Sequence, residues 1–70
     1  MIYYKMLQQK PESFEVLCNG KYVGLLYYSW IDNLAGREPV KGWTFVGNGE
    51  TFYFTRKKKA TRFLSRKFNA

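Results

Sequence analysis

Residues 47–68 read GNGETFYFTRKKKATRFLSRKF, and Thr55 divides this stretch in two. Before Thr55 the side chains alternate. Phe52 and Phe54 share one face of an extended chain, and Thr51 and Tyr53 share the other, which is the period of a strand. After Thr55 the period is helical. Ala60, Phe63, Leu64 and Phe68 follow an i, i+3, i+4, i+8 pattern and form one apolar stripe. Wound at about 100° per residue, Lys58, Lys59, Arg62 and Arg66 fall on the opposite side. A helix is therefore predicted over 56–68. Thr55 is its expected N-cap, since its hydroxyl can accept from an early helix N–H.

Working back along the chain, Gly47-Asn48-Gly49 reads as a turn between Trp43-Thr44-Phe45-Val46 and Glu50 to Phe54. Asn19-Gly20 lies between two further β-rich runs, Phe14 to Cys18 and Lys21 to Ile31. Asn-Gly between apolar runs predicts a hairpin, because a type I′ turn needs positive φ at both central residues. Gly24 inside the longer run marks a bulge or a close backbone approach. Residues 32–42 contain Asp-Asn, Ala-Gly and Glu-Pro and are predicted as a loop. Residues 1–13 form either a strand or a loose arm, and Pro11-Glu12-Ser13 punctuates them. The expected architecture is one α+β domain over 1–70. A first hairpin spans 14–31 and a second 43–55, giving a small antiparallel sheet of three to five strands with one C-terminal amphipathic basic helix on one face.

Charge is the second informative feature. Seven of the last fifteen residues are basic and none is acidic: Arg56, Lys57, Lys58, Lys59, Arg62, Arg66 and Lys67. Lys5, Lys10, Lys21, Arg37 and Lys41 are cancelled by Glu12, Glu15, Asp32, Glu38 and Glu50, so the tail carries the whole net charge of +7. Absent acids, i, i+4 ion pairs do not account for the pattern. Cations in the first helical turn also oppose the macrodipole, at a cost of about 0.3–1 kcal/mol each. A phosphate placed there would relieve that repulsion. The predicted binding residues are these seven cations together with Lys21 and Tyr22 of the sheet. Tyr22, Tyr27, Tyr28 and Trp30 put rings on both faces of one strand. These either fill the core or an interface, or stack single-stranded bases.

Other chemistries find little support. The sequence has no His and one Cys, Cys18, which excludes an intramolecular disulfide and nearly every zinc arrangement. Cys18 is expected to act as a small apolar core residue near a turn. The five carboxylates are scattered, and there is neither a P-loop nor a dinucleotide fingerprint. No enzyme activity, cofactor or metal is expected. The chain reads as complete from Met1, without a signal peptide. Its most apolar run, Tyr22 to Ile31, is about half the ~20 residues that span a bilayer. A reducing cytoplasmic or nucleoid-associated location is expected, with no membrane partner and with a homodimer allowed.

The order of sheet, Gly42-Trp43, Asn-Gly hairpin, Phe54-Thr55 and a basic helix running toward Ala60 and Leu64 resembles the three-stranded-sheet-plus-helix DNA-binding modules of phage-type tyrosine integrases. In that family an aromatic-Thr step followed by Lys-Lys and Ala leads into the helix. Phe54, Thr55, Arg56, Lys57 and Ala60 stand in similar order, with one extra residue before Ala60. The resemblance covers residues 14–68. It implies a small DNA-binding accessory protein of phage or mobile-element type. It does not imply recombinase activity, since no catalytic sequence of that family is present in these residues. This chain departs from the family in having no acid in the helix, and in placing its charge on the helix where the family reads the major groove with its sheet. The reading from sequence is a small nucleic-acid-binding protein, DNA ahead of RNA. The alternative is a protein-interaction module whose basic helix docks on an acidic protein partner.

Overall fold

Asn19 and Asn48 adopt φ of 53° and 54°, and the glycines after them 83° and 77°. Both Asn-Gly pairs thus form the left-handed two-residue turns that tighten a hairpin. The computed structural model describes residues 1–31 and 38–69. Its elements are β1 (Ile2–Gln9), β2 (Glu12–Cys18), β3 (Lys21–Ile31), β4 (Val40–Gly47), β5 (Glu50–Phe54) and α1 (Lys57–Asn69). The strands form one antiparallel sheet in the order β1-β2-β3-β4-β5, and α1 packs on one face. This is the α+β architecture expected, with the full five strands.

Three boundaries differ from the sequence reading. The first thirteen residues are not an arm. Ile2–Gln9 pairs along β2, and the two-residue connection Lys10-Pro11, a cis peptide, joins them. Pro11-Glu12-Ser13 reads as punctuation in the sequence, yet Glu12 and Ser13 already belong to β2. The register shifts between Met6 and Gln8. The extra residue of this bulge interrupts the period of two, and so hides a strand whose Ile2 and Tyr4 pack on the core.

Strand β4 begins at Val40, three residues before the expected start. Gly42, the last residue of the predicted loop, lies inside β4 and is a close-approach position. A Cβ there would lie 2.6 Å from the Phe54 carbonyl oxygen and 2.7 Å from Ile31 Cδ1. Part of the predicted loop, residues 32–37, lies outside the described residues.

The helix starts at Lys57. Thr55 and Arg56 form the bend out of β5, and Arg56 takes the capping position, its carbonyl accepting from the Ala60 N–H at 3.2 Å. Among the described residues Thr55 makes no side-chain hydrogen bond to the first turn, so it is not the N-cap. The chain needs both residues to swing from the sheet onto its face.

The core lies between the sheet and α1. Val16, Leu26, Phe45, Ala60 and Leu64 are fully buried, with Phe14 and Trp43 nearly so. Rings tile its margins: Phe63 lies 4.8 Å from Phe52 and 5.3 Å from Phe54, and Phe68 lies 6.0 Å from Phe45. Gly24 fulfils both expectations for it. The β2–β3 register shifts beside it, and a Cβ would meet the Phe45 ring and the Val46 carbonyl at 2.6 Å. Cys18 is half-buried, and its thiol donates to the Phe68 carbonyl at 3.4 Å, tying the end of α1 to the sheet.

The other face of the sheet carries the alternate residues. Tyr27, Thr44 and Tyr53 stand side by side across β3, β4 and β5. Thr44 is only 3 % exposed although no element among the described residues covers it, because its strand neighbours on both sides are tyrosines.

Candidate nucleic-acid interface

The helical winding sorts the seven C-terminal cations into two groups. Lys57 and Lys67 lie toward the seam with the sheet, and their ammonium groups fold back onto it. Lys57 Nζ sits 4.6 Å from the Phe14 ring centre and 5.4 Å from that of Trp43, and pairs with Glu12 at 3.6 Å. Lys67 Nζ lies 5.5 Å from the Phe52 centre and 3.3 Å from a Glu50 oxygen. The aliphatic stems cover aromatic edges while the charges stay wet. Half-exposed pairs of this kind contribute only about 0–1 kcal/mol. They nonetheless give these two cations intramolecular partners.

The second group faces solvent. Arg56, Lys58, Lys59, Arg62 and Arg66 are all exposed, and none forms an ion pair among the described residues. Arg56, Lys58, Lys59 and Arg62 line one shallow concavity of about 180 Å³. It adjoins the start of α1, where the first turn contains no acidic residue and the unpaired N–H groups make the helix end positive. Four cations held side by side at a positive helix end repel one another, and either dissolved salt or a bound anion reduces that repulsion.

Lys21 and Tyr22 lie elsewhere. Both follow the Asn19-Gly20 turn, at the end of the sheet where Phe68 meets Cys18. Tyr22 is exposed and lines a separate concavity of about 340 Å³ with Val23, Asn48 and Phe68. The structure therefore does not gather the nine predicted residues into one site. It gathers four at the helix start, continues them along the helix with Arg66, lays two over ring edges at the seam with the sheet and leaves two at the far end of the molecule.

A feature that the sequence reading missed lies beside the helix start. Gln9, Lys10, Pro11, Glu12, Tyr28, Lys41 and Trp43 line an open cleft of about 710 Å³. Its rings follow from the register. Tyr28 opposes Trp43 and Trp30 opposes Lys41, so all four side chains share the helix side of the sheet. Finding the cleft requires the pairings of β3 with β4 and of β1 with β2, which bring three distant segments together.

The Tyr4 hydroxyl is buried beside Phe14 without a hydrogen-bond partner, and burial raises its pKa above the ordinary tyrosine value. Among the described residues no three His, Cys, Asp or Glu side chains gather as a metal site. None of the described helices is long and apolar enough to cross a membrane.

No family model, curated protein or solved structure matches this chain. The reading of function rests on the residues and their geometry.

Proposed function

We propose that this protein binds nucleic acid, DNA ahead of RNA, through phosphate contacts made by the outer face of α1. The observation that carries the reading is the solvent-facing set Arg56, Lys58, Lys59, Arg62 and Arg66, which lacks carboxylate partners among the described residues and is concentrated at the positive end of the helix. Stability alone would place acids there. Lys57 and Lys67 act chiefly as covers for ring edges. Lys21 and Tyr22 contribute only to a nucleic acid long enough to reach the other end of the helix. The reading is non-enzymatic. The integrase-module resemblance supports an accessory role on DNA, of phage or mobile-element type, in the cytoplasm or on the nucleoid.

Salt dependence tests it. Five phosphate contacts give a slope of log K against log salt of about −4.5 on duplex DNA. Replacing Lys58, Lys59, Arg62 and Arg66 together with Gln should flatten the slope by about 3 to 4 and leave the fold intact, since Gln is a fair helix former. A folded protein that binds neither DNA nor RNA at low salt overturns the reading. An acidic protein partner would then stand in its place, and the exposed Tyr3 and Tyr53 on the uncovered sheet face favour that second reading.

A further inference from the structure

We propose that the cleft beside the start of α1 receives an unpaired base, so that the preferred ligand is a single strand, or a duplex with an unpaired or everted nucleotide. This rests on the phosphate-binding reading and extends it to what lies between the phosphates. The cleft has the composition that a base and its backbone require. Tyr28 and Trp43, with ring centres 5.3 Å apart, form an aromatic wall. Trp30 stands at the outer margin, 64 % exposed, with the Lys41 ammonium 5.2 Å from its ring centre. An exposed indole on a small domain is a stacking platform for any base, since every base has a π-face. Gln9 offers an amide donor and acceptor to a base edge, and Glu12 a carboxylate acceptor.

Charge complementarity selects the occupant. Lys10 and Lys41 line the cleft, and Lys57 bonds to its Glu12. That lysine leads directly, along the chain, to the concavity lined by Arg56, Lys58, Lys59 and Arg62. A strand whose phosphates follow these cations carries its bases within reach of Tyr28 and Trp30. The β1–β2 turn that forms the opposite rim is held by the Gln8 amide, which donates to the Lys10 carbonyl at 2.8 Å. The uncovered sheet face has tyrosines too, but among the described residues its cation is Lys5, which stands opposite Glu15.

Trp43 lines this cleft and Trp30, the other tryptophan of the chain, lies against its Lys41, so intrinsic fluorescence reports on it. The protein is titrated with oligothymidylate, with an abasic oligonucleotide of the same phosphate count, and with duplex DNA. Quenching is expected with oligothymidylate and not with the abasic strand. The Trp30→Ala variant, checked for an unchanged melting temperature, should bind oligothymidylate about five- to tenfold more weakly and duplex with unchanged affinity. Duplex binding without quenching by oligothymidylate overturns the cleft inference alone. Equal affinity for thymidylate and abasic strands does the same. Failure of all three ligands to bind at low salt removes the phosphate reading itself.

Discussion

At the scale of single residues, close approach and burial decide outcomes that composition does not reveal. Gly24→Ala would put a methyl group against the Phe45 ring and the Val46 carbonyl, each 2.6 Å from the Cβ position. Neither neighbour is the free end of a flexible chain, so the strand must shift. Urea denaturation should show a loss of about 1–3 kcal/mol. Tyr4 is the complementary case. Its hydroxyl is buried with no partner, and removing such a group can be neutral or stabilising. Tyr4→Phe should therefore be at least as stable as the parent at neutral pH. It should also resist alkali better. Burial holds the folded pKa of Tyr4 above its ordinary 10.0. Its share of stability is full below that value, and declines as pH rises through it because only the unfolded chain releases the proton. Denaturation between about pH 9 and pH 11 checks this: the parent should lose more stability than Tyr4→Phe. Equal losses would show that the Tyr4 hydroxyl reaches water.

At the scale of elements, α1 carries two opposed demands. Leu64 is fully buried beneath it, and Leu64→Ala should cost about 2–5 kcal/mol, read as a drop in melting temperature or as unfolding at 25 °C. The outer face is under a different constraint. Lys58→Glu in the first turn should stabilise the helix by about 0.3–1 kcal/mol while weakening DNA binding, and thermal melts and gel shifts on the same sample would show both. A variant that gains in both respects would contradict the role assigned to this face. The elements were unequally legible. Asn19-Gly20, Asn48-Gly49 and the apolar stripe of α1 are local signals and could be read directly. Strand β1 was obscured by its own bulge, and the start of β4 by Gly42, whose missing side chain serves a contact with Phe54 and Ile31. Thr55 has the right chemistry for a cap, but the path out of β5 moves the capping position to Arg56.

At the scale of the whole molecule, charge is distributed unevenly over a body of 39 × 26 × 21 Å. The two ion pairs seen among the described residues involve only Lys57 and Lys67, so the other helix cations repel one another. The Debye length falls from about 30 Å at 0.01 M salt, comparable with the molecule itself, to about 8 Å at 0.15 M. The melting temperature of the free protein should rise over that range, whereas its affinity for DNA should fall. Opposite responses to one variable separate self-repulsion from phosphate binding. A melting temperature that falls with salt would show that the ion pairs outweigh the repulsion.

The class of the fold and the cationic character of the C-terminal segment can be read along the chain. Period, turn chemistry and net charge are properties of neighbouring residues, and Asn-Gly, the Ala60–Phe68 stripe and the acid-free tail express them without reference to anything distant. Which of these cations have intramolecular partners, and what stands beside them, follows from packing over long sequence distances. Lys57 and Lys67 are as basic as Lys58, but packing α1 on the sheet brings them over Phe14 and Phe52 and within reach of Glu12 and Glu50. Lys41 and Lys10 carry no local signal, and Trp30 reads only as one ring of an aromatic strand. The pairing of β3 with β4, and of β1 with β2, brings them to the same end of one face of the sheet. The Asn-Gly turns fix the register of the β2–β3 and β4–β5 hairpins locally, whereas these two pairings lack such a turn and depend on how the sheet closes on its core.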